Sequence, residues 1–432
     1  MRPAWHQRLL YGGVGAVYLA LGLGFVGVVP IGEAPDEPAH LAYVDTLVRT
    51  GHLPLVDRVG RRVSYESYQP PLDYGILAAW VSMTTGRPID YPFQPTGTLD
   101  FNRQGSRAVV PRSDPIARQA AASVRKLRAV RLGWGLLTVL LTLRLALLVS
   151  AGDVSVALVS AVPFVLAPQF LFVSATINND GAVTALATAG LYYLARLLEG
   201  EGGAVDAVAA GALAGAALWG KESAFFLAAP LLYATLQLVR RGKSRWAAGI
   251  WGGYLLPVLL WFALSEMRFQ ALLPPPPTGF GSPTGSRIGQ LLHPHWLVSL
   301  GGSFWAKLGW LDVRLPAPLY AAFLLPTGLV AAGVWRALRP LRREPGREGA
   351  RLLVLAALAN LGLVVLYMMT IDWQPQGRYL FPTLAAFAAL ATFALRGRRP
   401  PRWLTVAVPA VAIAVAVVSI TTIAAAYAVS PR

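Results

Sequence analysis

Cysteine is absent from the 432 residues, which excludes disulfides, thiolate nucleophiles, zinc–thiolate sites and iron–sulfur clusters and leaves the redox compartment unreadable. Charge is scarce as well. Asp, Glu, Lys and Arg make up 14% of the chain, against about 25% in a soluble globular protein, so an ordinary soluble enzyme is excluded. Acidic residues are the scarcer sign, 21 against 38 basic ones. Also missing are a P-loop, a Gly-x-Gly-x-x-Gly opening a helix after a strand, and a Gly-x-Ser-x-Gly elbow.

What is present is apolar. Hydrophobic residues make up 55% of the chain and the mean hydropathy is +0.51. Runs of about 20 apolar residues with almost no internal charge are long enough to cross about 30 Å of hydrocarbon. Hydropathy predicts about eleven spans, near 9–30, 128–149, 154–175, 181–198, 204–219, 223–239, 246–265, 318–338, 352–370, 379–395 and 403–428. The pair 204–219 and 223–239 reads either as two spans or as one broken helix. The chain is thus expected to be an all-α, multi-pass membrane protein. Its first apolar run exceeds the roughly 7–15 residues of a secretory signal and is read as an uncleaved span. Three parts are expected: a transmembrane core over 1–265 with an outer loop at 31–127, an outer loop at 266–317, and C-terminal spans over 318–432.

The net charge of +17 sits in short connectors, with no basic helix carrying interleaved aromatics, so no nucleic-acid partner is expected. Arg240, Arg241, Lys243 and Arg245 form one connector, Arg336 to Arg351 another, and Arg396, Arg398, Arg399 and Arg402 a third. All fall on the side of Arg2 and Arg8. The positive-inside rule makes that side cytoplasmic and the membrane the inner, cytoplasmic one. The connector with Glu199, Glu201 and Asp206 runs against the trend, but acidic residues weigh little in the rule. Segment 70–85 is read as a helix lying on the outer surface, because counting it as a span would invert every later basic loop. The run Pro274 to Pro277 predicts extended polyproline II.

On that topology the unusual polar residues collect at the outer face. GEAPDEPAH carries Glu33, Asp36, Glu37 and His40; YESYQPPLDY carries Glu66, Tyr68, Gln69 and Asp73; TINNDGA carries Asn178, Asn179 and Asp180. WGKES carries Lys221 and Glu222, and IDWQPQGRYLFP carries Asp372, Gln376, Arg378 and Tyr379. Each cluster alone suits a cap, a turn or a snorkelling side chain. Together they differ, because cations are expensive near hydrocarbon and are expected inside, yet Lys221 and Arg378 lie outside beside carboxylates. An anionic ligand at the outer leaflet accounts for that placement.

Transfer from a lipid phosphate suits such a face. A carboxylate beside a hydroxyl acts as general base, and Lys and Arg neutralise a departing phosphate. Asp36 and Glu37 are adjacent, so their side chains diverge; one is expected at the reaction centre and the other to orient a neighbour. No cofactor is expected. A divalent ion held by carboxylates is the competing reading: His40 follows Asp36 by one helical turn, and His293 and His295 are further candidates, but ligand spacing for a complete site is missing.

In chain order, PDEPAHLAYVDTLVRTGHLP, SYQPPLDY, RAVRLGWGLL, TINNDG, LWGKESA and QGRYLFP resemble a family of bacterial multi-span proteins similar to GT-C glycosyltransferases, such as the protein O-mannosyltransferases and the aminoarabinose transferase of lipid A. The resemblance implies a first outer loop whose Asp36 is the catalytic base and Glu37 its acidic neighbour, followed by a Pro-Pro-Leu juxtamembrane helix. Gln69 stands where relatives carry His or Lys, so phosphate neutralisation falls to Lys221 or Arg378. The expected activity is inverting transfer of a sugar from a polyprenyl-phosphate lipid to a glycan, lipid or protein acceptor at the outer face. His40, Gln69, Asn179, Asp180, Lys221, Glu222, Asp372, Gln376, Arg378 and Tyr379 are the expected substrate-binding residues. The alternatives are a transporter or flippase of a lipid-linked or anionic solute, disfavoured by the absence of internal repeats, and a scaffold, which gives no reason for the outer cations.

Overall fold

The computed structural model describes residues 4–54, 64–85, 88–89, 93–95, 105, 107–274, 287–340 and 344–429; Pro275 to Pro277 of the expected polyproline run lie outside them. The helices are α1 (Ala4–Val28), α2 (Glu37–Thr50), α3 (Leu72–Thr84), α4 (Pro115–Val149), α5 (Val154–Val165), α6 (Pro168–Ser174), α7 (Asp180–Glu199) and α8 (Ala204–Ala217). They continue with α9 (Ala228–Arg240), α10 (Ser244–Phe269), α11 (Arg287–Leu292), α12 (His295–Trp305), α13 (Leu324–Leu338), α14 (Arg347–Thr370), α15 (Leu384–Leu395) and α16 (Leu404–Val429).

All eleven apolar runs are helical. Among the described residues, nine helical segments are long and apolar enough to span a membrane, the bent pair α5 and α6 makes a tenth, and α8 is a shorter apolar helix. Residues 204–217 and 222–240 are separate helical segments. The bend of 59° between α5 and α6 falls at Pro168, whose ring and missing N–H interrupt the helix ladder. Three spans open with a 3₁₀ turn, at Glu222–Leu227, Ala317–Phe323 and Gly377–Thr383.

Hydropathy starts the second span near 128, but α4 begins at Pro115 and runs 35 residues, about 50 Å. Its start is written locally: Asp114 accepts from the Ala117 amide at 2.9 Å, and Pro115 occupies the first turn. Residues 115–127 are too polar for a hydropathy signal. The described part of 266–317 also carries regular structure. It holds the end of α10, α11, α12 and an antiparallel pair, Lys307–Leu308 with Val313–Arg314. A second short pair joins Phe93–Pro95 to Val109–Pro111.

Small residues let the helices close on one another. A Cβ on Gly211 of α8 would stand 1.9 Å from the Ile250 carbonyl oxygen, and one on Gly253 of α10 would stand 2.4 Å from that of Val208. Such contacts suit helix packing in lipid, where hydrophobicity does not drive association.

The basic connectors meet at one end of the bundle. Arg241 donates to the Leu198 carbonyl at 2.5 Å, Arg396 to that of Val149 at 2.7 Å, and Arg336 to that of Arg396 at 2.8 Å. Glu199, the residue that broke the charge trend, accepts the amides of Gly346 and Gly349 at 2.6 and 2.9 Å. A carboxylate there satisfies free amides and opposes the positive end of α14. The polar clusters lie at the other ends of these helices.

Candidate active site

Asp36 is the N-cap of α2, with φ of 65°. Left-handed backbone is uncommon for a side chain other than Gly, and Asp and Asn tolerate it best. The side chain forfeits the capping bond and turns to Arg378, whose Nη2 lies 2.6 Å from Oδ2, while the Tyr65 hydroxyl donates to Oδ1 at 3.1 Å. Burial raises the Asp36 carboxyl; the Arg378 charge and the hydrogen bonds from Arg378 and Tyr65 outweigh it and hold the group below the usual carboxylate value.

A second ion pair lies alongside. Lys221 Nζ is 2.6 Å from Asp180 Oδ1, and Arg378 Nη1 is 3.8 Å from Asp180 Oδ2. Lys221 and Arg378 also stand 5.2 and 5.5 Å from the centre of the Tyr379 ring. Asp36 side-chain exposure is 25% and that of Lys221 19%, against 6% for Arg378 and 4% for Asp180. A ligand therefore meets one carboxylate and one ammonium first.

The irregular run from Asp372 to Gln376, just ahead of the 3₁₀ turn that carries Arg378, aims that side chain. Asp372 accepts from Gln374 at 2.5 Å, Gln374 accepts from Gln376 at 2.8 Å and from Tyr379 at 2.9 Å, and Gln376 accepts from Arg378 Nε at 2.7 Å. Asp372 thus reaches the centre through Gln374, a residue the sequence reading passed over. Gly377 allows the close approach of α12: a Cβ there would stand 2.1 Å from the Phe304 amide nitrogen.

Glu37 has different partners. Its carboxylate is fully buried and receives Arg128 Nε and Nη2 at 2.8 and 2.5 Å, the Gly32 amide at 2.8 Å and the Ile177 amide at 3.0 Å. Every bond goes to the protein, so Glu37 ties α4 to the loops before α2 and α7. Arg131, one turn further along α4, donates to the Thr176 carbonyl at 3.0 Å and Asn178 Oδ1 at 3.2 Å, with Asp73 at 3.4 Å. Sequence reasoning assigned neither arginine a role. Two arginines three apart at the head of an apolar run were the available signal.

Gln69 receives Asn179 Nδ2 at 2.8 Å and donates to the Tyr68 hydroxyl at 3.0 Å. Arg268 fixes the same segment, donating to the Ser67 carbonyl at 2.8 Å. Gln69 and Asn179 therefore bind each other across two loops. Glu222 follows Lys221 with Oε1 buried and without a hydrogen-bond partner. His40 is buried, its Nδ1 2.7 Å from the Tyr74 hydroxyl. Burial pushes its imidazole down to about 3, which leaves it neutral. Glu66, buried beside Asp36, is pushed up to about 8 by burial and then by the Asp36 charge. Donor atoms of Asp36, His40 and Glu66 lie within 4.8 Å of one another. His293 and His295 stack at 4.5 Å, and no third donor joins them among the described residues.

No protein-family model matches the sequence, and no curated protein does. Solved structures do. ArnT from Cupriavidus metallidurans in the apo state matches with a TM-score of 0.54 and 16% identity over 91% of this chain. The same protein bound to undecaprenyl phosphate matches with a TM-score of 0.55 and 16% identity over 98%. The chain spans 60% of the first structure's length and 77% of the second's. At that identity the likeness is one of architecture, and the chain has the GT-C-like membrane fold of ArnT.

Proposed function

We propose that the protein is a membrane glycosyltransferase that moves a sugar from a polyprenyl-phosphate carrier to a glycan, lipid or protein acceptor of the cell envelope. The convergence of the Asp36–Arg378 and Asp180–Lys221 pairs, both at 2.6 Å, carries the reading. An ArnT structure with undecaprenyl phosphate bound supports the class of donor.

At rest a carboxylate neutralises each cation. A donor phosphate competes for Arg378 and Lys221, and as it takes them Asp36 is released to accept a proton. The acceptor hydroxyl then attacks the anomeric carbon while its proton passes to Asp36. The sugar–phosphate C–O bond breaks with its electron pair on oxygen, and polyprenyl phosphate leaves held by the two cations. Attack opposite the leaving group inverts the anomeric centre, through a state comparable to that of glycosidases. Glu37 and Arg128 hold the Asp36 loop in place. Gln376 and Asp372 aim Arg378. The basic connectors face the cytoplasm and the site faces outward, so the donor enters sideways from the outer leaflet. A transporter would carry its charges near the bilayer midplane, whereas these lie at helix ends.

The test is transfer by the purified full-length chain from a panel of radiolabelled polyprenyl-phosphate sugars. Label is expected in an envelope acceptor fraction with wild type and not with Asp36→Asn. A folded wild-type protein that transfers from no donor in the panel refutes the reading.

A further inference from the structure

We infer that the groove between α5, α6, α13 and α16 holds one phospholipid with an anionic headgroup, drawn from the leaflet beside the basic connectors, with an acyl chain along α16 and its phosphate at Arg399 and Arg402. The groove measures about 250 Å³, and every side chain that lines it is apolar, among them Pro163, Pro168, Phe323, Trp403, Val411 and Val415. It lies at the break near Pro168, where a bend of 59° turns α6 off the line of α5. The end of the 3₁₀ turn Ala317–Phe323 and the start of α13 supply a further wall.

Its extent identifies the leaflet. On α16 the lining runs from Leu404, the helix end next to the 396–402 connector, to Val415, about 16 Å of helix. Half of a hydrocarbon core about 30 Å thick is about 15 Å, so the groove matches one acyl chain of that leaflet. Trp403 stands at the connector end and is 67% exposed, as suits a ring at headgroup level. Val406 and Val411 on the same helix are also exposed, so this flank of α16 faces lipid.

Hydrocarbon fit alone selects no lipid, because the tails are as apolar as the lining. Selection comes from charge. Arg398, Arg399 and Arg402 are exposed, and the chain carries no acidic residue after Asp372. Other connector arginines are engaged: Arg347 with Glu344 at 3.0 Å, Arg351 with Glu348 at 3.2 Å, and Arg396 with the Val149 carbonyl at 2.7 Å. Arg399 and Arg402 form no ion pair among the described residues. A guanidinium meets a phosphate with two parallel N–H donors, and a basic cluster at the membrane surface draws anionic lipid to it. No residue of the Asp36 ion-pair network lines the groove, and the site does not depend on the transferase reading.

The experiment uses the full-length protein, delipidated in detergent and titrated under native mass spectrometry with phosphatidylglycerol and with phosphatidylcholine of identical acyl chains. One phosphatidylglycerol per chain is expected, held about tenfold or more tighter than phosphatidylcholine. The double variant Arg399→Gln/Arg402→Gln should lose that preference. Arg240→Gln/Arg245→Gln, on an exposed connector that does not line the groove, should keep it. Ala407→Trp, which fills the groove, should weaken both lipids. Phosphatidylglycerol with a photoreactive acyl chain should label peptides carrying residues 163–168, 321–326 or 403–415 of the wild type, and this reading stands if a variant misfolds. Equal affinity for the two lipids, a preference unchanged in folded Arg399→Gln/Arg402→Gln, or label confined to other helices overturns the site. Displacement of the label by polyprenyl phosphate also overturns it and assigns the groove to the donor tail.

Discussion

Arg378 holds Asp36 from 342 positions away in the chain, Nη2 to Oδ2 at 2.6 Å. The backbone of Asp36 sits in the left-handed region and its side chain forgoes the cap of α2 to make that contact. Strain of this kind costs about 1–3 kcal/mol and persists where surrounding structure enforces it. Here the enforcing contact is Glu37 with Arg128.

Asp36→Asn should fold normally and lose transfer by about 10²-fold or more. Asn keeps the shape and is the other residue that accepts the left-handed backbone. Size-exclusion behaviour and label transfer, measured on the same preparation, check this. Near-normal turnover removes Asp36 as base.

Neutralising either cation should weaken donor binding. A charge-assisted hydrogen bond contributes about 1.5–3 kcal/mol, or roughly ten- to hundredfold in affinity. Titration of a non-hydrolysable polyprenyl-phosphate analogue against wild type, Lys221→Met and Arg378→Gln reads this out. Arg378→Lys should also bind worse, because the ammonium cannot reproduce the two-point fork. Unchanged affinity in all three variants would assign the cations to the bundle.

Glu37→Gln and Arg128→Met should each destabilise the fold by about 3–5 kcal/mol, because each leaves a buried partner uncompensated. The double variant should recover part of the loss. Thermal unfolding in detergent separates this from Asp36→Asn, whose stability is expected to stay near wild type.

Glu33 links stability to pH. Buried between α1 and α2, it accepts the Ala108 and Val109 amides at 2.9 and 3.2 Å, and burial pushes its carboxyl up to about 7 from 4.5. Between those values the folded chain keeps a proton that the unfolded chain has lost, so stability falls as pH rises through the window. Glu33→Gln should flatten that slope in a melting series; an unchanged slope places its origin elsewhere.

Cysteine at Ser113 should react with an impermeant maleimide applied to intact cells, and cysteine at Ser244 should not. Both positions are exposed, and the natural chain has no cysteine to confuse the readout. Labelling at Ser244 alone reverses the orientation and moves the ion-pair network to the cytoplasmic side.

The spans were legible in the sequence because an apolar run of sufficient length has few alternatives in a bilayer, where the backbone must satisfy its own hydrogen bonds. A helix after Pro70 and Pro71 was legible too, and α3 (Leu72–Thr84) lies there; its place on the outer surface rests on the charge bookkeeping. The first turns of α4 were not, since Pro115 to Leu127 carry arginines and polar residues that hydropathy scores as loop. Tyr65 and Gln374 were passed over for a related reason. A tyrosine or glutamine in a polar loop has no pattern of its own, and its role follows from what the fold sets opposite it.

The sequence by itself determined the membrane architecture and the set of polar segments gathered at one end of the spans, because hydropathy and charge alternation are local properties that survive any packing of the helices. Pairing was decided by tertiary structure. Asp36 and Glu37 are neighbours with the same chemistry, yet the bundle gives Asp36 to Arg378 and Glu37 to Arg128. The left-handed backbone of Asp36, just outside the helix that Glu37 opens, set against helices more than 90 residues away, separates an accessible carboxylate from a buried tie, and one-dimensional spacing does not contain that information.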